Sequence, residues 1–122
     1  MKRRIAVIGL GTFGQELARR LSLQGCEVLA IDRDLELVEG IAEHVTKAAA
    51  ADARDRDALR ELGVDECDCA VLALRGHVES SVLALIVLQE IGVKEIVAQA
   101  VSEDHRRALL RLGATRVIFP DK

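Results

Sequence analysis

The sequence has no tryptophan and no tyrosine, and its only aromatic residues are Phe13 and Phe119. That removes the platforms on which single-stranded nucleic-acid binders stack bases. Net charge is -3, so the basic footprint of a DNA or RNA partner is missing too. Proline occurs once, as Pro120, just past the last predicted strand, where no ladder hydrogen bond is needed. Cysteine is sparse and odd in number: Cys26, Cys67 and Cys69. An odd count without framework spacing excludes a disulfide scaffold and predicts reduced thiols in a cytoplasmic protein. Cys67-Asp68-Cys69 is C-x-C rather than the C-x-x-C of redox motifs, and Cys69 reads as a small core residue. His44, His77 and His105 fall in different segments and form no ligand cluster for zinc. His77 reads as a residue that precedes or caps a helix. There is no Ser-His-Asp arrangement and no pair of acids at a cleft of its own. No apolar run is long enough to cross a membrane. Lys2-Arg3-Arg4 precedes only a short apolar run broken by glycines, so it reads as the solvated start of a strand, not a leader.

What remains is a chain of 122 residues, half of them apolar and nearly all of those Val, Ile, Leu and Ala. That length fits one domain with a real core. The composition suits buried parallel strands covered by helices. The sequence is organised around Ile5-Ala6-Val7-Ile8-Gly9-Leu10-Gly11-Thr12-Phe13-Gly14, a short apolar strand running into a glycine-rich turn and then a helix. Gly9, Gly11 and Gly14 make the G-x-G-x-x-G of a dinucleotide-binding turn. Gly9 permits the tight turn, Gly11 lets a phosphate approach the backbone, and Gly14 lets the helix pack closely. The helix then presents unpaired N–H groups and the positive end of its dipole to that phosphate.

The pattern after this turn is strand and helix in alternation. Strands are predicted over Arg4–Gly9, Glu27–Ile31, His44–Ala49, Cys69–Leu74, Glu95–Ala98 and Arg116–Phe119. Helices are predicted over Phe13–Gln24, from Asp34 through Ala42, over Asp55–Leu62, Val78–Ile91 and Glu103–Leu112. The weakest strand is the third, because its alanine run has low strand propensity. The alternation predicts an α/β fold: a Rossmann-like, doubly wound, mostly parallel six-stranded sheet with helices on both faces.

In such a fold an acid about 20 residues past the glycines takes the ribose hydroxyls. Asp32 stands there, and a carboxylate favours NAD or an adenosine nucleotide over NADP. The ribose role falls to Asp32 and the helix cap to Asp34. Arg33 lies between them, an exposed turn arginine that bears on the 2′-phosphate argument. Asp52 and Ala53 follow the third strand. Asp52 either borders the adenine or stabilises its own turn, and chemistry alone does not separate these. Leu74, Arg75 and Gly76 follow the fourth strand and face the same crevice, with Arg75 a phosphate-neutralising candidate or a solvated arginine. The helix over Val78–Ile91 is apolar nearly all round, which predicts a subunit interface unless its own neighbours cover it.

These residues resemble the RCK domain, also called KTN or TrkA-N, most nearly its Ktr-type members. The resemblance covers nearly the whole chain. It rests on the Ile8–Gly14 turn, on Val28-Leu29-Ala30-Ile31-Asp32, and on Ala51-Asp52-Ala53, which looks like the family's G-D-A-T. It continues through Ala70-Val71-Leu72-Ala73-Leu74 and Leu112-Gly113-Ala114-Thr115-Arg116-Val117-Ile118-Phe119-Pro120. Ordinary dehydrogenases lack that last stretch. The resemblance implies that residues 1–122 form the amino-terminal nucleotide-binding domain, without the usual carboxyl-terminal subdomain. It implies a regulatory module, not an enzyme, on the inner face of the membrane. The module would bind ATP and ADP or NAD(H) and gate a potassium transporter or channel, as a homodimer or an octameric ring. Some members also bind a divalent cation through an acid in the position of Asp121. Thr12 stands where Ktr-type members often carry an arginine that reaches the terminal phosphate. Gln99 stands where many members carry lysine or arginine. The alternatives are a small NAD-dependent oxidoreductase, for which the chain has no substrate domain, and the sensor of a potassium/proton antiporter.

Overall fold

A computed structural model describes residues 2–74 and 77–119. Its strands are β1 (Arg4–Ile8), β2 (Glu27–Asp32), β3 (Lys47–Ala50), β4 (Cys69–Leu72), β5 (Glu95–Gln99) and β6 (Arg116–Ile118). Its helices are α1 (Thr12–Leu23), α2 (Leu35–Ile41), α3 (Arg56–Glu61), α4 (Val78–Glu90) and α5 (Glu103–Arg111). The six strands form one sheet in the order β3-β2-β1-β4-β5-β6, and every pairing is parallel. This is the doubly wound arrangement the alternation predicts. The order reverses between β1 and β4, so a crevice opens beyond their carboxyl ends.

The two faces of the sheet are covered separately, because side chains alternate across each strand. Ile5 and Val7 of β1 pack with Leu17, Ala18 and Leu21 of α1 and with Val38 and Ile41 of α2. Ala6 and Ile8 point the other way, toward Leu59 of α3, Leu85 and Leu88 of α4, and Leu109 of α5. Fully burying a leucine such as Leu85 contributes about 1.5–3 kcal/mol. The missing aromatics cost nothing here: branched aliphatic side chains fill both layers.

Boundaries shift from expectation for local reasons. β1 stops at Ile8: Gly9 still donates to the Ile31 carbonyl, but at φ +104° it turns the chain out of the extended strand. α1 begins one residue earlier than expected, at Thr12. β3 starts at Lys47 rather than His44, since Ala42–His44 continues α2 as a short 3-10 turn. Its low intrinsic propensity is offset by a ladder to β2 from Leu29↔Lys47 to Asp32↔Ala50. β4 ends at Leu72, where its register with Ile8 of β1 ends, and Leu74 lies in the following loop. A second 3-10 turn, Val64–Glu66, links α3 to β4 and was not anticipated by the apolar pattern.

α4 is more enclosed by its own fold than its composition suggests. Ala84, Leu85, Val87 and Leu88 are buried, while Leu83 and Ile86 remain 38% and 36% exposed on its outward stripe. Glu79 and Glu90 occupy the same stripe at helical spacing. No described helix is long and apolar enough to cross a membrane.

Candidate functional site

A cavity of about 680 Å³ opens at the carboxyl ends of the central strands. Among the residues singled out in the sequence, it is lined by Gly9, Gly11, Thr12, Phe13, Gly14, Asp32, Arg33, Asp52, Ala53 and Leu74. Arg75, Gly76 and Asp121 lie outside the described residues. Segments far apart in the chain thus meet at the switch point, as parallel strands require.

The glycine turn is held by backbone bonds to both neighbouring strands. Gly9 N–H donates to the Ile31 carbonyl at 2.8 Å, and Ala73 N–H donates to the Ile8 carbonyl at 2.7 Å. A Cβ on Gly9 would overlap the Ala73 carbonyl, and one on Gly14 would overlap the Gly9 carbonyl. These two glycines are required by close backbone approach. Gly11 differs: a Cβ there would meet nothing within 4 Å. Its missing side chain leaves open space above the turn instead of relieving a clash.

Gly11 is also the N-cap of α1, and it supplies no side-chain cap. The first turn of α1 contains no acid. The opening N–H groups of a helix have no intrahelical acceptor, and here their residues Thr12, Phe13 and Gly14 line the cavity with no acid in the helix's own first turn. Gln15 Nε2 donates to the Leu10 carbonyl at 2.8 Å, which ties the turn to the helix it precedes. α4 begins at the same cavity with His77 as N-cap, again without a side-chain cap bond, and with Glu79 in its first turn.

Asp32 is the last residue of β2 and is half-buried. Its Oδ2 accepts from Leu10 N–H at 2.7 Å and its Oδ1 from Asp34 N–H at 2.8 Å. Those two bonds aim the carboxylate at the glycine turn. An ionised carboxylate offers about four acceptor sites, so capacity is left for two hydroxyl donors. The cap of α2 falls to Asp34, whose Oδ1 accepts from Glu36 N–H at 2.9 Å, as expected.

Asp52 is committed to its own turn. Its carboxylate accepts from Arg54 Nε at 3.1 Å, Arg54 NH2 at 2.9 Å and Arg54 N–H at 2.9 Å. Arg33 Nε stands 4.0 Å away. The Arg54 side chain, more than the backbone N–H, holds the Asp52 carboxyl down at about 2. Asp52 stabilises its own turn and also lines the cavity, beside the buried Ala53.

Ser80, Leu37, Ala73 and Gln99 also line the cavity without having been singled out as wall residues. Gln99 carried a readable signal, a polar residue closing an apolar strand at its carboxyl end. It is 2% exposed, and its Oε1 is buried with no hydrogen-bond partner among the described residues. The lining acids are Glu16, Asp32, Asp34 and Asp52, against the single arginine Arg33 among the described lining residues.

Burial pushes the Cys67 thiol up to about 11 and the Cys69 thiol to about 12. No group of three or more possible metal ligands occurs among the described residues.

Comparison with known proteins supplies the context for this geometry. Residues 5–120 match the TrkA-N domain. Ktr system potassium uptake protein C of Bacillus subtilis is 34% identical over 122 residues, covering 100% of this chain and 55% of the relative. The chain therefore spans about half the length of that relative. A structure of the Shewanella denitrificans Kef CTD in AMP-bound form superposes with a TM-score of 0.73 at 27% identity, covering 96% of this chain and 70% of that one. A structure of the GsuK channel bound to NAD superposes with a TM-score of 0.83 at 15% identity, over 97% of this chain and 21% of that one, a likeness of fold.

Proposed function

The chain belongs to the TrkA-N domain family, and on that premise we propose that it is the nucleotide-sensing unit of a potassium-uptake system. The observation that carries this reading is the meeting of α1's uncapped amino end with the Asp32 carboxylate in one cavity. An anion and a diol, held one strand apart, are the recognition elements of an adenosine nucleotide. In this reading Gly9, Gly11, Thr12, Phe13 and Gly14 cradle phosphate through backbone N–H groups. Asp32 accepts from the ribose hydroxyls, with Arg33 beside it. Ala53 and the Asp52–Arg54 turn border the base, and Leu74 closes the wall toward β4. AMP in the Shewanella relative supports an adenine nucleotide as the class, with ATP, ADP and NAD(H) as its members here.

The chain acts as a binding module. Its sequence carries no tyrosine and no Ser-His-Asp arrangement, and its relative is named as a potassium uptake protein. The mechanism is a population shift: a nucleotide that contacts two conformations unequally changes their ratio, and a membrane potassium transporter or channel reads the difference. The site of action is the cytoplasmic face of the membrane. Assembly into homodimers and a ring would cover the outward stripe of α4, where Leu83 and Ile86 stay exposed.

Thermal shift with AMP, ADP, ATP, NAD and NADH tests the reading, because a ligand selective for the native state raises its stability with saturation. At least one adenine nucleotide raises the melting temperature, and Asp32→Ala weakens its binding by more than ~10-fold, about the loss of a charge-assisted hydrogen bond. Unchanged affinity in Asp32→Ala overturns the ribose assignment.

A further inference from the structure

Three polar side chains are buried among the described residues: Gln99, in the cavity wall, and Ser81 and His105, which do not line it. The last two are bonded to each other. His105 Nδ1 accepts from Val101 N–H at 3.1 Å, so the neutral ring carries its proton on Nε2, 2.8 Å from Ser81 Oγ. Ser81 Oγ donates in turn to the Val78 carbonyl at 2.9 Å. One imidazole therefore ties three segments together. They are α5, on which it sits, the loop after β5, through Val101, and the first turn of α4, through Ser81.

Two of those segments border the cavity. His77 and Ser80 line it at α4's amino end, and Gln99 lines it two residues before Val101. The Ser102 cap of α5 stands apart, because Ser102 Oγ accepts from the His105 backbone N–H, not from the ring. A second proton has no place in this geometry. Imidazolium donates from both nitrogens, so Nδ1–H and Val101 N–H would face each other as two donors 3.1 Å apart. The loop after β5 must then move off the ring. Neighbouring charges offer no relief. Glu103 and Asp104 of α5 pair with Arg106 and Arg107. Glu79, in α4's first turn, is exposed. Glu95 and Arg116 stand at the amino ends of β5 and β6, the far end of the sheet from Val101. Burial disfavours the charged ring further.

On the reading of this cavity as an adenine-nucleotide site, we propose that His105 is a positioning residue for it. Its neutral ring holds α4 and the loop after β5 in the binding arrangement, and a proton on that ring releases the loop and lowers nucleotide affinity. Linkage is reciprocal, so bound nucleotide keeps the proton off. Calorimetric titration of AMP at pH 7.5 and pH 5.5 tests this on the native chain and on His105→Gln, with circular dichroism confirming the fold at each pH. The glutamine both accepts and donates but takes no proton. Protonation of the AMP phosphate and of His77 is common to both proteins, so comparing their pH responses isolates His105. Native affinity falls roughly 3-fold further than that of His105→Gln, about the size of one neutral hydrogen bond. An equal fall in the two overturns the proposal and leaves the nucleotide reading standing. NMR titration of the His105 ring on the native chain, with and without AMP, needs no variant to fold. Saturating AMP moves its midpoint to lower pH by about 0.5 pH unit, the same ~3-fold. A midpoint that AMP does not move overturns the proposal as well. No AMP binding at pH 7.5 rejects the nucleotide reading itself, and the proposal with it.

Discussion

Helices α1 and α5 both follow a strand and both pack one face on the sheet, yet their amino ends are finished in opposite ways. At α5, Ser102 Oγ accepts from His105 N–H at 3.0 Å, and Glu103 and Asp104 sit in the first turn. At α1 the N-cap is Gly11, with no side-chain bond and no acid in the first turn. α2 and α3 follow the α5 pattern, with Asp34 and Asp55 accepting from backbone N–H at 2.9 and 3.1 Å. Where the chain needs only a stable helix, it satisfies the opening donors from within. α2 also begins at the cavity, with Asp34 and Leu37 in its lining, and is capped, whereas α1, which follows the central strand β1, has no side-chain cap. The contrast separates residues that hold the fold from residues available to a ligand.

The contrast is broken most severely at Gly14. A Cβ there overlaps the Gly9 carbonyl, and backbone cannot swing aside as a side-chain tip can. Gly14→Val should cost about 3 kcal/mol of stability and abolish nucleotide binding. Chemical denaturation and calorimetry check both effects.

The α5 end can be broken through His105, which is 5% exposed. Its Nδ1 accepts from Val101 N–H at 3.1 Å, and its Nε2 lies 2.8 Å from Ser81 Oγ. Since Nδ1 accepts, the neutral ring carries its proton on Nε2 and donates to the serine, which donates onward to the Val78 carbonyl at 2.9 Å. Burial lowers the His105 pKa from its ordinary value. The unfolded chain therefore binds the proton more readily than the native one. The stabilisation is fully present above about pH 6.5, the unfolded value, and is lost as pH falls toward the lower native value. Denaturation midpoints at pH 7.5 and pH 5 should show that fall, and His105→Gln should flatten it. An equal fall in the variant assigns the pH dependence elsewhere.

A smaller effect belongs to the cap itself. Ser102→Ala should cost about 1 kcal/mol and leave nucleotide affinity unchanged. If affinity fell with stability, the two kinds of helix end would not be independent.

Much of this was legible in the sequence because its signals are local. The close approach at Gly9 and Gly14 and the Asp34 cap of α2 were each readable from their own segment. The parallel, doubly wound character of the sheet follows from alternation and the rules of parallel connections, while its strand order is read from the structure. Asp52 stayed ambiguous because its partner Arg54 engages only once the loop is folded. The start of β3 was misplaced because Ala42–His44 extends α2 by a 3-10 turn, a choice set by packing rather than propensity. Gln99 and Ser80 were not read as wall residues, since only the sheet order brings the ends of β4 and β5 to the glycine turn.

Gly11→Asp tests the central claim most directly. Its Cβ meets nothing within 4 Å, so the fold accepts it, and it gives α1 the same cap that Asp34 gives α2. An aspartate there should hold stability or raise it by a few tenths of a kcal/mol, through the cap and the dipole. The same carboxylate should repel the phosphate and lower nucleotide affinity by at least ~100-fold. Calorimetry and thermal unfolding on one preparation read both. Stability kept with binding lost is the predicted result. Nucleotide bound at native affinity by Gly11→Asp would contradict the assignment of α1's amino end as the phosphate site.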